Sequence, residues 1–131
     1  MGADRINSDA DVSNKTGSLP AVLSARHVAP EVAVVILSET EKIAEPGTAK
    51  DHVVENNDPQ EVTSAWDNIG VNGKNAPALE RNITVKNIYF EWVPARLIDA
   101  YITEHGLWSS EDIAARSRWV AEETKRFFED L

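Results

Sequence analysis

The last third of the chain, residues 88–131, constrains the fold more than any other stretch, because it holds eight of the nine aromatic side chains. From residue 113 onward, apolar and small side chains recur at alternating spacings of four and three: Ile113, Ser117, Val120, Thr124, Phe127 and Leu131. That spacing is typical of one face of an α-helix. Ser109 offers an N-cap hydroxyl and Asp112 an acidic first turn, so the sequence predicts a helix that begins at Ser109.

A second helix is predicted immediately before this one, over residues 93–105. Pro94 suits a first helical position, where its missing N–H has no partner to lose. Four apolar residues then share one face at helical period: Leu97, Ile98, Tyr101 and Ile102. Gly106 can adopt the left-handed conformation that often ends a helix. Together the two helices predict an antiparallel helix hairpin at the C-terminus.

The middle of the chain gives one clear helix and one choice between two structures. Residues 18–28 have helical spacing, and the step before Pro30 ends that helix. Residues 30–44 contain a β-branched run that favours a buried strand. The opening at Pro30 and the helical spacing of the same apolar residues favour a helix, which we prefer. Three later segments follow: residues 61–69 are predicted as a short helix and residues 70–77 as a loop. Residues 82–92 are predicted as a strand or an extended arm that enters the hairpin.

Residues 1–17 are polar and rich in aspartate, serine and asparagine, a composition that predicts a disordered N-terminal tail. The remaining residues, 18–131, are predicted to form a single mainly helical domain. The predicted fold class is therefore mainly α: a small helical domain that ends in the antiparallel helix hairpin and leaves room for one or two short strands.

The net charge of −9 argues against general nucleic-acid binding, because phosphates would repel the chain. The absence of cysteine excludes disulfides, thiolate nucleophiles and cysteine-ligated zinc. No apolar run is long enough to span a membrane, and the N-terminus lacks the apolar core of a signal peptide. These features predict a cytoplasmic protein that binds neither nucleic acid nor membrane.

The sequence offers no pattern that predicts chemistry. His27, His52 and His105 lack the spacing of a metal site. Glu91 is the only carboxylate set among large aromatic residues, and on a strand it would face away from them. We therefore predict no catalytic residue, no cofactor and no metal. Tryptophan and arginine are enriched at interface hot spots, so the predicted partner interface consists of Trp92, Trp108, Arg116 and Trp119.

Part of the C-terminal region carries a family resemblance. The segments that carry it are Tyr89-Phe90-Glu91-Trp92, Leu97-Ile98, Tyr101-Ile102, Glu104-His105-Gly106-Leu107 and Ser109-Ser110-Glu111-Asp112-Ile113. Residues 89–113 resemble the helical segment near the N-terminus of nitrile hydratase β-type subunits and of the related thiocyanate hydrolase small subunit. The resemblance implies a non-catalytic partner of a metal-bearing subunit, whose metal sits in a cysteine cluster that this chain cannot supply.

Three functional hypotheses follow. The leading one is a non-catalytic accessory or structural subunit of a hetero-oligomer, packed on a larger protein subunit of a nitrile hydratase-like complex. The alternative is a free-standing acidic regulator or inhibitor that covers a basic surface of its target. The third is a small enzyme that uses carboxylates or histidine. The sequence does not decide whether the chain is catalytic by itself.

Overall fold

The computed structural model describes residues 1–51, 55–67 and 84–129. Contacts divide the chain into two compact units, one formed by Met1–Val53 with Phe90–Leu131 and the other by Val54–Tyr89. The described residues form six strands and three α-helices: β1 (Arg5–Ile6), β2 (Val12–Lys15), α1 (Ser18–Val28), β3 (Val35–Leu37), α2 (Gln60–Asp67), β4 (Phe90–Val93), β5 (Ala100–Thr103), β6 (Gly106–Trp108) and α3 (Ser110–Glu129). Short 3-10 turns cover Thr40–Lys42, Ala49–Asp51 and Ala95–Leu97.

The first sheet is antiparallel throughout and has the order β1-β2-β4. Its register places Ile6 beside Val12 and Val12 beside Val93. All three side chains are fully buried. This row is continuous with the core, so the first sheet is built around an apolar stripe that runs across all three strands.

The second sheet has the order β3-β5-β6 and mixes two directions. β3 and β5 are parallel, with Ile36 beside Tyr101, and β5 and β6 form an antiparallel hairpin, with Tyr101 beside Trp108. Gly106 has a φ of 109° in that hairpin turn, a conformation that favours glycine. Beyond β3, Gly2 pairs with Leu37 in a parallel bridge, so the N-terminal residues extend the sheet.

Two helices cover these sheets as the sequence predicts. α1 has the predicted bounds and buries Val22, which packs with Val34 and Val93. At the start of α3, the backbone N–H of Ser109 donates to Asp112 Oδ2 at 2.8 Å, and the N–H of Asp112 donates back to Ser109 Oγ at 3.3 Å. This reciprocal pair is a capping box. The predictions of a helix over residues 18–28 and of a capped helix after Ser109 are confirmed.

The mainly helical fold class and the helix hairpin are wrong. Residues 93–105 form the end of β4, a 3-10 turn and β5, not a helix. In β5, Tyr101 and Thr103 are buried while Ile102 between them is exposed, which is the period of two expected of a strand. The apolar residues that suggested a helical face fit either period. Residues 100–103 form a strand because they pair with β3, which lies more than 60 residues away in the sequence.

The helix preferred for residues 30–44 is also wrong, and the alternative strand is present as β3. Pro30 lies in a turn after α1, and Ile36 is fully buried between the strand's neighbours. The β-branched composition was therefore the better guide, because a strand in a parallel pair reads as an apolar run.

The polar segment 1–17 forms β1 and β2 instead of a disordered tail. Three of its side chains are buried in the main core cluster, which consists of Ile6, Ala10, Val12, Ile36, Ile43, Tyr101 and Ile113. Met1 and Ala3 of the same segment pack against that cluster. Composition underestimates such a segment because it counts apolar residues without regard to where they pack. The single domain predicted over residues 18–131 stays a prediction.

The second unit contains α2 and an antiparallel bridge between Asn57 and Asn87. Asn87 is buried and donates through Nδ2 to Asp58 O and to Glu61 Oε2, each at 2.8 Å. Tyr89 donates its hydroxyl to the same carboxylate, and this hydrogen bond is the main reason that the tyrosine's pKa is raised. The short helix predicted near residue 61 is confirmed as α2. The predicted loop 70–77 and the start of the predicted strand 82–92 lie outside the described residues.

Candidate functional site

The parallel segments of the second sheet all end at one edge. Gly2 runs parallel to β3, and β3 runs parallel to β5, so the residues that follow them share the carboxyl edge of the sheet. These residues are Asp4, Ser38, Glu39, Thr40 and Glu104. In open α/β sheets, ligands bind beyond the carboxyl ends of the strands. This edge is therefore the candidate site.

The acidic Asp4 and the amide Asn14 lie at the Gly2 end of this edge, where β1 pairs with β2. Lys15, the next residue, places its ammonium group over the Phe90 ring, 3.9 Å from the ring centroid. The N–H of Asp4 donates to Ser13 O at 3.0 Å, and the neighbouring Asn14 donates through Nδ2 to Gly2 O at 2.8 Å. Asn14 Oδ1 in turn accepts from the N–H of Lys15 at 2.8 Å. The Asp4 carboxylate is exposed. We name Asp4, Asn14 and Lys15 the Asp4 patch.

The turn between β1 and β2, which follows Asp4 in the chain, is fixed by hydrogen bonds to the buried Asn7 side chain. Asn7 is almost fully buried, and its Oδ1 accepts from the N–H groups of Asp9 and Asp11 at 3.0 and 2.8 Å. Asp11 Oδ1 accepts from the N–H of Ala95 at 2.9 Å, which ties this turn to the 3-10 turn after β4. Every one of these polar groups is paired inside the protein, so the turn between β1 and β2 is held from several directions.

Tyr101 adds a contact to the same turn from the second sheet. Its hydroxyl donates to Ala10 O at 2.5 Å. Burial raises the pKa of the Tyr101 hydroxyl, and the nearby Asp11 carboxylate raises it further. The tyrosine therefore stays protonated and acts as a fixed donor, which links β5 to the segment that carries Asp4.

The loop after β3 is fastened to the end of β5. The N–H of Thr40 donates to Glu104 Oε2 at 2.9 Å, and the Thr40 hydroxyl donates to Oε1 of the same carboxylate. The hydroxyl contact is the largest cause of the lowered pKa of Glu104. His105 Nε2 lies 3.5 Å from Glu104 Oε1. These contacts fix the geometry of the edge on the side away from the Asp4 patch.

Glu91, the carboxylate that the sequence sets among aromatic residues, is a helix cap. Its Oε1 accepts from the N–H of Gly17 at 2.6 Å and from the N–H of Leu19 at 2.9 Å, at the start of α1. A carboxylate at a helix N-terminus is stabilised by the helix dipole. The cap therefore explains Glu91 without a catalytic role.

The predicted interface residues lie on three different elements. Trp92 is partly buried on β4, and Trp108 on β6 packs against the main core cluster and stacks on His105 with ring centroids 6.1 Å apart. On α3, the Arg116 guanidinium lies 3.9 Å from the centroid of the Trp119 ring, and Trp119 is 46% exposed. Arg116 Nε is buried and has no hydrogen-bond partner among the described residues. The structure brings Arg116 and Trp119 together, and their role at an interface stays a prediction.

The histidines do not form a metal site in the described part of the chain. His27 is exposed on α1, His105 lies in the β5–β6 turn instead of a helix end, and His52 lies outside the described residues. Within residues 1–51, 55–67 and 84–129, no three His, Asp or Glu side chains converge as metal ligands. A search of the same residues for a helix long and apolar enough to cross a membrane finds none.

The sequence predictions missed the Asp4 patch altogether. Asp4 and Asn14 are ten residues apart, and the antiparallel pairing of β1 with β2 brings them together. A hairpin signal is present in the sequence: the turn-forming residues 7–11 lie between the strand residues Ile6 and Val12. The polar composition of residues 1–17 outweighed that signal.

Comparison with known proteins identifies close relatives of this architecture. The model of the Initiation factor 2 subunit family matches residues 1–110. Methylthioribose-1-phosphate isomerase from Dehalococcoides mccartyi is 38% identical over 109 residues, which cover 82% of this chain and 29% of that protein. Ribose 1,5-bisphosphate isomerase from Haloterrigena turkmenica is 32% identical over 126 residues, which cover 95% of this chain and 37% of that protein. This chain thus spans about a third of the length of these relatives.

Two solved structures agree with these matches. The 5-methylthioribose 1-phosphate isomerase of Pyrococcus horikoshii superposes with a TM-score of 0.65 at 25% identity, covering 92% of this chain and 31% of that one. The δ subunit of translation initiation factor eIF-2B from A. fulgidus superposes with a TM-score of 0.60 at 30% identity. The match covers 81% of this chain and 28% of that one. That protein is named as a subunit, which is consistent with the prediction of protein partners.

These matches overturn the nitrile hydratase resemblance. Most of the residues quoted for it, 89–113, fall inside the family match, and up to Trp108 they form strands and a 3-10 turn instead of a helix. The accessory-subunit function that the resemblance implied is therefore wrong. The alternative of a free-standing acidic regulator is also wrong, because the relatives are named as isomerases and initiation factors.

Proposed function

Because this chain belongs to the Initiation factor 2 subunit family, we propose that it carries part of the active site of an aldose–ketose isomerase that acts on a ribose 1-phosphate. The observation that carries the proposal is the Asp4 patch, in which the exposed Asp4 carboxylate and the Asn14 amide lie at the carboxyl edge of the sheet and Lys15 follows Asn14 in the chain. The sugars in the relatives' names, methylthioribose 1-phosphate and ribose 1,5-bisphosphate, both carry a phosphate on C1 of ribose.

The proposed reaction needs proton transfer and phosphate binding. The bond between C1 and the ring oxygen breaks and that oxygen gains a proton, the hydrogen on C2 moves to C1, and the C2 hydroxyl loses its proton to become the ketone. A single carboxyl group can donate the first proton and accept the second, which is the role proposed for Asp4. We assign the C1 phosphate to the Lys15 ammonium, which lies over the Phe90 ring in this structure, and to the second N–H of the Asn14 amide, whose first N–H donates to Gly2 O.

Binding of the sugar phosphate tests the phosphate half of the proposal. Titration calorimetry with 5-methylthioribose 1-phosphate and with ribose 1,5-bisphosphate should detect binding that Lys15→Ala weakens at least tenfold. Lys125→Ala is the matched control, because Lys125 is an exposed lysine on α3. Equal affinity for the Lys15→Ala variant and the unmodified chain would reject the assignment of the phosphate site.

Turnover tests the catalytic half. In a preparation that converts either sugar phosphate, Asp4→Asn should lower kcat by about 100-fold or more, the size expected for loss of a general acid–base group. KM should change little, because the amide keeps the size of the side chain. Unchanged kcat would remove Asp4 from the mechanism.

A second candidate function is that of an initiation factor subunit without isomerase activity. The observation behind it is the 30% identity to the eIF-2B δ subunit of A. fulgidus, a value below the 38% identity to the Dehalococcoides mccartyi isomerase. Absence of sugar-phosphate binding by the unmodified chain would favour this candidate over the isomerase.

Protein partners and a cytoplasmic location are also part of the proposal. The exposed Trp119 ring with its stacked guanidinium from Arg116 supports a contact surface on α3, because Trp and Arg dominate interface hot spots. Trp92 and Trp108 are proposed to contribute their exposed parts to such a surface, since both are only partly buried within this chain. The absence of cysteine supports the cytoplasmic location.

A further inference from the structure

Lys15 and Phe90 are cross-strand neighbours in the first sheet. They are register partners in the antiparallel pair of β2 and β4, and the Lys15 ammonium lies 3.9 Å from the centroid of the Phe90 ring. A cation over the face of an aromatic ring is attracted by the negative charge of that face. The Phe90 ring therefore holds the end of an exposed lysine side chain in one place.

The strand that carries Phe90 is itself firmly anchored. Val93 is fully buried beside Val12 in the apolar row of the first sheet. Glu91, the residue after Phe90, accepts hydrogen bonds from two backbone N–H groups at the start of α1. Because the backbone that carries the ring is held in this way, the partly buried ring is a fixed support for the ammonium group.

A lysine held in this way needs less ordering when it binds an anion. A lysine side chain is a flexible four-carbon stem, and fixing it costs rotamer entropy. Its ammonium group has three N–H donors, and the ring lies against one side of the Lys15 ammonium. Because Lys15 is exposed to solvent, the other side is open to a ligand. Part of the ordering that phosphate binding requires is therefore present before the phosphate binds.

We propose that Phe90 is a positioning residue of the sugar-phosphate site, whose ring holds the Lys15 ammonium in the place where it binds the C1 phosphate. The inference rests on the proposed function, because that function assigns the phosphate to Lys15. Phe90 acts through Lys15, so its contribution to binding should disappear when the lysine is removed. A tyrosine ring presents the same kind of face to a cation, whereas a leucine side chain does not.

The affinity for 5-methylthioribose 1-phosphate, measured by titration calorimetry, tests the role of the ring. Phe90→Leu should weaken binding by about 3- to 10-fold, because it removes the aromatic face and keeps an apolar side chain. Phe90→Tyr should retain most of the affinity. In a Lys15→Ala background, Phe90→Leu should have no further effect, since no ammonium group is left to position. Phe127→Leu is the matched control and should leave binding unchanged, because Phe127 is an exposed ring on α3 that lies 5.9 Å from the guanidinium of Arg126.

Nuclear magnetic resonance of the chain with isotope-labelled lysine tests the contact without a ligand. The ε-methylene protons of Lys15 should resonate upfield of those of the other exposed lysines, because the ammonium end of the side chain lies over the Phe90 ring. Phe90→Leu should abolish that shift, and Phe90→Tyr should keep it. Absence of the shift in the unmodified chain overturns the inference. Should Phe90→Leu fail to fold, Phe90→Met replaces it in both measurements, since methionine has a similar bulk without an aromatic face.

The binding results separate this inference from the proposed function. Equal or tighter binding by Phe90→Leu overturns the inference, and so does equal weakening by the leucine and tyrosine variants. A Phe90→Leu loss that persists in the Lys15→Ala background also overturns it, because the ring would then act by another route. Each of these results leaves the proposed function intact if Lys15→Ala weakens binding. If the unmodified chain binds no sugar phosphate, the proposed function is rejected and the inference falls with it, even where the upfield shift of Lys15 is observed.

Discussion

Residues 4–15 bury all three of their apolar side chains, Ile6, Ala10 and Val12, whereas the twenty residues of α3 bury only Ile113 and Ser117. The short polar segment is held by distant contacts, such as the Tyr101 hydroxyl on Ala10 O. The long helix is held by its own backbone and its capping box, and it touches the core near its start. A segment that the sequence predicts to be disordered can therefore be packed into the core more completely than a helix that the sequence predicts clearly. Residues 4–15 are such a segment, and α3 is such a helix.

The largest expected effect is at the single apolar anchor of α3. Ile113→Ala should lower the free energy of unfolding by about 2–5 kcal/mol, because it leaves a cavity at a fully buried site. Phe128→Ala on the exposed end of the same helix should change it by less than about 0.5 kcal/mol. Urea denaturation measures both. Similar losses at the two positions would mean that α3 is anchored along its whole length, and the contrast drawn here would fail.

The next effect concerns the polar turn. Asn7→Ala should cost about 2 kcal/mol, since it truncates a buried side chain and leaves the part-buried N–H groups of Asp9 and Asp11 without their acceptor. Asn14→Ala is the matched control: its hydrogen bonds are exposed, so a loss below about 1 kcal/mol is expected. Equal losses in denaturation would show that burial of Asn7 contributes little beyond an ordinary hydrogen bond.

A smaller effect is expected at the helix cap. Ser109→Ala should cost about 1 kcal/mol, because it removes the hydroxyl that accepts from the N–H of Asp112. Ser109→Asn should restore most of that loss, since asparagine is an equally good N-cap. Thermal unfolding of the three proteins is the measurement. Failure of the asparagine variant to recover stability would assign the loss to something other than capping.

These differences explain which parts of the fold the sequence could predict. α1 and α3 are specified by signals within a few residues, namely apolar spacing, Ser109 and the step before Pro30. β5 was predicted as a helix because its parallel partner β3 is remote in sequence and no local pattern identifies it. The same limitation applies to the site. Asp4, Asn14 and Lys15 have no shared motif, and only the pairing of β1 with β2 and the bridge from Gly2 to Leu37 give them a common location.

The smallest expected effect is a difference in how the stability of the α3 cap and that of the Asn7 turn change when the pH is lowered. The N–H and the hydroxyl of Ser109 both contact the Asp112 carboxylate, and they hold its pKa below the ordinary value of 3.8. A carboxyl group whose pKa is lower in the folded than in the unfolded protein contributes stability that is fully present above the unfolded value and is lost as the pH falls through the folded value. The cap of α3 should therefore weaken below about pH 4, whereas the fixed amide contacts of Asn7 carry no charge to lose.

Asp112→Asn tests this difference, because asparagine can still accept a hydrogen bond but does not titrate. The loss of stability between pH 6 and pH 3 should be smaller for Asp112→Asn than for the unmodified protein. Ile113→Ala is the control, since a cavity involves no proton and should cost the same at both pH values. Unfolding by urea at the two pH values supplies all three comparisons. If Asp112→Asn kept the full acid sensitivity, the cap would not be its source, and the sensitive carboxylates would have to lie elsewhere, with Glu104 and its contact to Thr40 as the next position to substitute.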